Sequence, residues 1–79
     1  MTTIQTIRSR RLAEEIPAAL LAARAGINRM RVSFLERGHA QATDEELERL
    51  FSALEQLVAA KAKVREAATE AGWPMEALT

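Results

Sequence analysis

The chain has 79 residues, 48% hydrophobic and 28% charged, with eleven basic side chains balanced by eleven acidic ones. That length supports one small domain, which gains much from a partner. The absence of Cys and the single His exclude a disulfide framework, a thiolate nucleophile and any metal site built from two such ligands.

Ala, Leu, Glu and Arg favour helix, and β-branched and aromatic residues are sparse, so the expected fold is all-α with four to five helices. Thr3 is placed to cap a first helix reaching about Glu15, with Ile4, Ile7 and Leu12 on one side. Ile16-Pro17 ends it, and Pro17 suits the opening of a second helix that carries Leu20 and Leu21 and stops at Gly26. Asn28 is a good cap for a third helix running to Gly38, with Val32 and Leu35 on its buried side. Thr43 and Glu46 form a capping box, and Asp44 and Glu45 add negative charge to the first turn of a fourth helix. Nothing breaks that helix before Gly72-Trp73-Pro74, which gives about 28 residues, or roughly 40 Å.

The long helix has a seam. Leu47, Leu50, Leu54, Leu57, Lys61, Val64, Ala68 and Ala71 alternate at spacings of three and four, with Phe51 and Val58 alongside. Leu47, Leu50, Phe51 and Leu54 are expected to cover the core. A straight helix carries the rest beyond that core, so Leu54, Leu57, Val58, Lys61, Val64 and Ala68 are expected to pair with a second copy of the chain. A bend folding the tail back as a fifth helix is the competing expectation. Trp73, Met75 and Leu78 either fold back, cross to the second chain or fray.

Charge is unevenly laid out. Residues 1–37 hold seven Arg against three Glu, +4, and residues 38–79 hold four bases against eight acids, −4. A basic working face in front and an acidic or pairing element behind are the expectation.

Two short helices joined by a tight, Gly-containing turn describe a helix-turn-helix unit, here Pro17 to Gly38. Leu21-Ala22, Ala25-Gly26-Ile27, Val32 and Leu35-Glu36-Arg37-Gly38 resemble the phage-repressor (Cro/C1, XRE) helix-turn-helix family. Arg11 sits where that family has an Arg in its first helix, and Thr43 to Leu54 looks like its fourth. The resemblance spans residues 4–57. It implies a lambda-repressor-like domain over residues 1–57, with residues 58–79 as an extension that dimerises. It also implies that Arg11 pairs with Glu36 to hold the helices in register, and that the leading residues of the third helix enter the major groove of double-stranded DNA. Two features depart from the family pattern: Pro17 and Ala18 replace its Ser/Thr cap and Gln, and Glu15 stands where its first helix ends in Gly. Backbone N–H groups at the second helix start still suit a phosphate.

With Val32 and Leu35 inside, Met30, Ser33, Phe34 and Arg37 point outward, with Asn28 and Arg29 at the leading end and Arg31 on the flank. Arg29 is the candidate for a bidentate contact to guanine, Ser33 suits either base type, and Met30 and Phe34 are spaced to pack a thymine methyl. Arg31 and Arg37, with Arg8, Arg10 and Arg24, are candidates for phosphates.

The expected function is a sequence-specific regulator acting as a homodimer on an inverted repeat, such as an autorepressor of a phage or mobile-element operon. The alternative is a protein-binding adaptor or antitoxin that keeps the helix-turn-helix as a scaffold. No enzyme, cofactor or metal is expected: His39 lies alone in a loop, Glu14-Glu15 and Glu45-Glu46 splay apart on their helices, and no phosphate loop or nucleophile elbow is present. No apolar run approaches the roughly 18 residues of a membrane span, and Met1 to Arg11 is too polar for a secretory signal, so the cytoplasm is the expected location.

Overall fold

Four helices follow from four local start signals. In the computed structural model, which describes residues 2–72, Thr3 Oγ1 accepts the Thr6 N–H and opens α1, Ile4–Ala13. Pro17 precedes α2, Ala18–Ala25, with no side-chain cap. Asn28 Oδ1 accepts the Met30 N–H and opens α3, Arg29–Glu36. The Thr43–Glu46 capping box is complete, and α4, Asp44–Ala71, follows it for 28 residues without a break. The helix therefore does not bend back into a fifth element. Trp73, Met75 and Leu78 lie outside the described residues.

The first three helices end alike. After α2, the Gly26 N–H donates to Ala23 O and the Ile27 N–H to Ala22 O. After α3, Gly38 and His39 repeat the pattern onto Leu35 and Phe34. This stop needs one residue in the left-handed conformation, and Gly26 supplies it at φ +70°. After α1 the same bonds run from Glu15 to Leu12 O and from Ile16 to Arg11 O. The left-handed residue there is Glu15, at φ 57°, the only non-glycine in that region among the described residues. Its Cβ is strained by about 1–2 kcal/mol. Glu15→Gly is therefore expected to stabilise the fold by roughly 0.5–1 kcal/mol after the glycine's extra chain entropy is subtracted. A thermal melt should show Tm rising by roughly 3–6 °C, and no rise would mean the strain is relaxed elsewhere.

One core joins all four helices: Ile7 from α1, Ile16 from the following turn, Leu21 and Ala22 from α2, Val32 and Leu35 from α3, and Leu50, Ala53 and Leu54 from α4. α1 and α2 each pack on both α3 and α4. Three expectations need correction. Leu12 is 49% exposed, because the inward face of α1 runs Ile4, Ile7, Arg11 at helical spacing and leaves Leu12 one position round the side. Of Leu20 and Leu21, only Leu21 is buried. Phe51 does not close the core. It is exposed and lines a shallow recess with Thr2, Asp44, Leu47 and Glu48.

The core cluster and its half-buried surround take α4 residues only as far as Val58. Lys61 then reaches back to donate to the Glu14 carbonyl at the end of α1, where an ammonium satisfies an unpaired carbonyl and suits the negative end of the helix dipole. The one charge in the seam thus has an intrachain use. No helix among the described residues is long and apolar enough to cross a membrane.

Candidate nucleic-acid interface

The position of α3 is set by a buried ion pair. Arg11 Nε donates to Glu36 Oε2 at 2.9 Å and Nη2 to Oε1 at 2.7 Å. Its third nitrogen, Nη1, donates to Ile16 O at 2.9 Å. Both side chains are buried. Gln5 Nε2 adds a long bond to the Glu36 carbonyl at 3.4 Å. One guanidinium therefore ties α1 to the end of α3 and to the turn leading into α2. A planar fork facing a carboxylate fixes orientation as well as distance.

Held this way, α3 turns Val32 and Leu35 into the core and presents its other side outward. Asn28, Arg29, Met30, Ser33, Phe34 and Arg37 line one open groove of about 520 Å³. Met30 is 67% and Phe34 44% exposed. The Phe34 ring is met edge-on by His39, with centroids 6.1 Å apart and planes at 82°, so a loop residue steadies it. Arg29 and Arg37 form no ion pair among the described residues, and no carboxylate lines the groove.

A helix-turn-helix family model matches residues 7–56, which takes in most of α1, all of α2 and α3, and nearly the first half of α4. The chain belongs to the helix-turn-helix family. The match is of the Cro/C1, XRE type that the sequence resembles, a family of DNA-binding regulatory domains. No curated protein and no solved structure matches the chain.

The helix-turn-helix frame sorts the front-half arginines. Arg31 leaves the outer groove and pairs with α4: Nε donates to Glu46 Oε2 at 2.8 Å, and Nη2 to Glu46 Oε1 at 3.0 Å and to Gln41 O at 3.2 Å. A phosphate role for Arg31 would have to compete with that clamp. Arg10 pairs with Glu55, and Arg24 Nε donates to Gln56 Oε1 at 2.7 Å, so both point at α4. The charge asymmetry along the chain is thus partly cancelled inside the molecule. Two acids of α4, Glu55 and Glu46, take up Arg10 and Arg31, Arg24 is held by a neutral amide, and Arg8, Arg24, Arg29 and Arg37 have no ion pair among the described residues. Glu46, Gln41, Glu55 and Gln56 were not legible as partners, because they lie 10 to 45 residues away in sequence. His39 carried no signal beyond its place in a loop.

Glu46 completes both the capping box and the α3–α4 clamp. The Arg31 hydrogen bonds, and then the Thr43 backbone N–H at 2.9 Å, hold its carboxyl down from the ordinary 4.5 to about 2. Its folded value lies below its unfolded one. The stability it confers is therefore complete above about pH 5 and drains as pH falls toward 2. Urea midpoints measured from pH 6 to pH 2 are expected to fall more steeply for the unaltered chain than for Glu46→Gln, with the two curves converging at the acid end. Parallel curves would show that Glu46 does not carry this acid loss.

The residues expected between two chains divide. Leu54 is almost wholly buried in the chain's own core, because the heptad positions up to Val58 are the face that covers α1 and α2. Ala68 is buried like Leu54, so these two offer almost no free surface, and Lys61 is half-buried with its ammonium engaged at the end of α1. Leu57 and Val58 pack partly against the core and keep part of their surface free. Val64 is 55% exposed.

Proposed function

We propose that this chain is a sequence-specific transcriptional regulator that binds double-stranded DNA as a homodimer and represses its own phage or mobile-element operon from an inverted repeat. The single observation that carries the DNA reading is the outer side of α3. Its two cations, Arg29 and Arg37, are unpaired and no carboxylate shares their groove, while Arg10, Arg11, Arg24 and Arg31 are engaged inside the molecule. Arg29, at the leading end, donates to guanine in the major groove, and Arg37, one helix length on, neutralises a phosphate. Asn28 and Ser33 add polar contacts between them. The α2 N-terminus has no side-chain cap, which leaves its first N–H groups for a neighbouring phosphate.

A compact domain has too little surface for strong selectivity alone. Two copies joined through the α4 extension, at Val64 and the free edges of Leu57 and Val58, would present two α3 helices to half-sites about 34 Å apart. The protein works in the cytoplasm, where that DNA lies, and needs no cofactor.

The test is a titration of the DNA upstream of its own gene at 50 and 200 mM salt. Affinity is expected to fall steeply between the two. Arg37→Ala should lower the salt slope by about one, and Arg29→Ala should cost about 1–3 kcal/mol and relax one base pair of specificity. Salt-insensitive binding, or none, would transfer the groove to a protein partner.

A further inference from the structure

The outer side of α3 carries a feature that phosphate and guanine contacts do not use. Ser33, Arg37, Met30 and Phe34 fall within an arc of about 100° at 3.6 residues per turn. Met30 and Phe34 sit one turn apart at one side of that arc, with Arg37 next to Met30, and Met30 is the most exposed large apolar side chain among the described residues. A small domain does not profit from holding a thioether and a phenyl ring together in water, and such a pair marks a surface that something covers. The cover must be apolar where it meets this pair and anionic beside it, because Arg29 and Arg37 are unpaired and line the same groove with no carboxylate among its lining residues. On the edge of a base pair in the major groove the one apolar group is the C5 methyl of a pyrimidine, and phosphates run along both sides of it. The edge-on contact from His39 orients the Phe34 ring before any ligand arrives, which lowers the entropy lost on binding.

We infer that Met30 and Phe34 form a methyl-reading site, so that the preferred half-site holds a C5-methyl pyrimidine next to the guanine contacted by Arg29. This rests on the DNA reading above and specifies what that surface selects. Thymine and 5-methylcytosine present the same methyl, and the site takes it from either source.

The experiment selects bound duplexes from a random-sequence library with the full chain, once with thymidine and once with deoxyuridine throughout. The enriched duplex is then titrated with single thymidine-to-deoxyuridine replacements, and with cytosine or 5-methylcytosine at the sensitive position. At one position per half-site, loss of the methyl is expected to weaken binding about three- to tenfold. 5-Methylcytosine should bind more tightly than cytosine there by a similar factor, whereas discrimination between thymidine and deoxyuridine alone would confine the site to thymine. Met30→Gln and Phe34→Ala, each checked for helix content, should erase the methyl preference, and Phe34→Leu should retain part of it. A duplex bound in an Arg29-dependent way with no sensitivity to deoxyuridine at any position would overturn the methyl site and leave the DNA reading intact. Failure to enrich any duplex from either library would overturn both.

Discussion

Replacing Arg11 by Ala is expected to lower Tm by more than about 15 °C, or to abolish the folded helical signal at 25 °C altogether. The substitution removes three hydrogen bonds at once, two to Glu36 and one to the Ile16 carbonyl. It also leaves the Glu36 carboxylate buried with no other side-chain partner among the described residues. An orphaned buried charge of this kind costs about 3–5 kcal/mol. A domain of this size has about 4–12 kcal/mol in total. The pair itself is a different matter. Two buried charges lose much of their hydration, and a well-packed apolar pair of similar volume is often as stable. A double variant, Arg11→Met with Glu36→Leu, is therefore expected to recover most of what Arg11→Ala loses. The coupling energy from the full double-mutant cycle separates the bond from the cost of breaking it. Because the pair fixes the end of α3, the double variant should also bind DNA less well than its recovered Tm suggests. If Arg11→Ala melts within about 3 °C of the parent chain, the pair is solvated and does not position α3.

Local chemistry in the sequence reached the helices more surely than it reached their neighbours. Thr3, Asn28 and the Thr43–Glu46 box each act within four residues, so the starts of α1, α3 and α4 fall where the caps stand. Gly26 and Gly38 end helices by backbone conformation alone, which is also local. Leu12 escaped because two apolar faces fit α1 almost equally. Periodicity cannot show that Arg11, a charged residue, belongs to the inner one. Arg31 escaped for the opposite reason. Its position on α3 places it beside the outer groove, and only the packing of α4 across the bundle supplies Glu46 to draw it away. The groove itself was legible in outline, since Asn28, Arg29, Met30, Ser33, Phe34 and Arg37 follow from one helix and one known inner face. The step from seven front-half arginines to two unpaired ones on α3 was not, because it depends on contacts such as Arg10 with Glu55.

Leu54→Ala is expected to destabilise the fold by about 2–5 kcal/mol, and by the same amount at any protein concentration. Heptad spacing gives Leu54 two roles, one in the core and one in a seam between chains, and the two respond differently to dilution. An interface contact exists only in the assembled species, so its contribution fades as the protein is diluted below the dimer's dissociation constant. A core contact does not. Leu54 is 1% exposed and packs within a cluster drawn from all four helices, so truncation opens a cavity inside the protomer itself. Val64, 55% exposed on the same helix, is the matched control. Val64→Glu should leave the fold of the protomer intact, halve the mass seen by light scattering, and cost stability only at high concentration. Urea midpoints for both variants at two concentrations a hundredfold apart distinguish the cases. A Leu54→Ala deficit that shrinks on dilution would move this residue out of the core and into the interface. A Val64→Glu chain of unchanged mass would remove the α4 extension as the place where two copies meet.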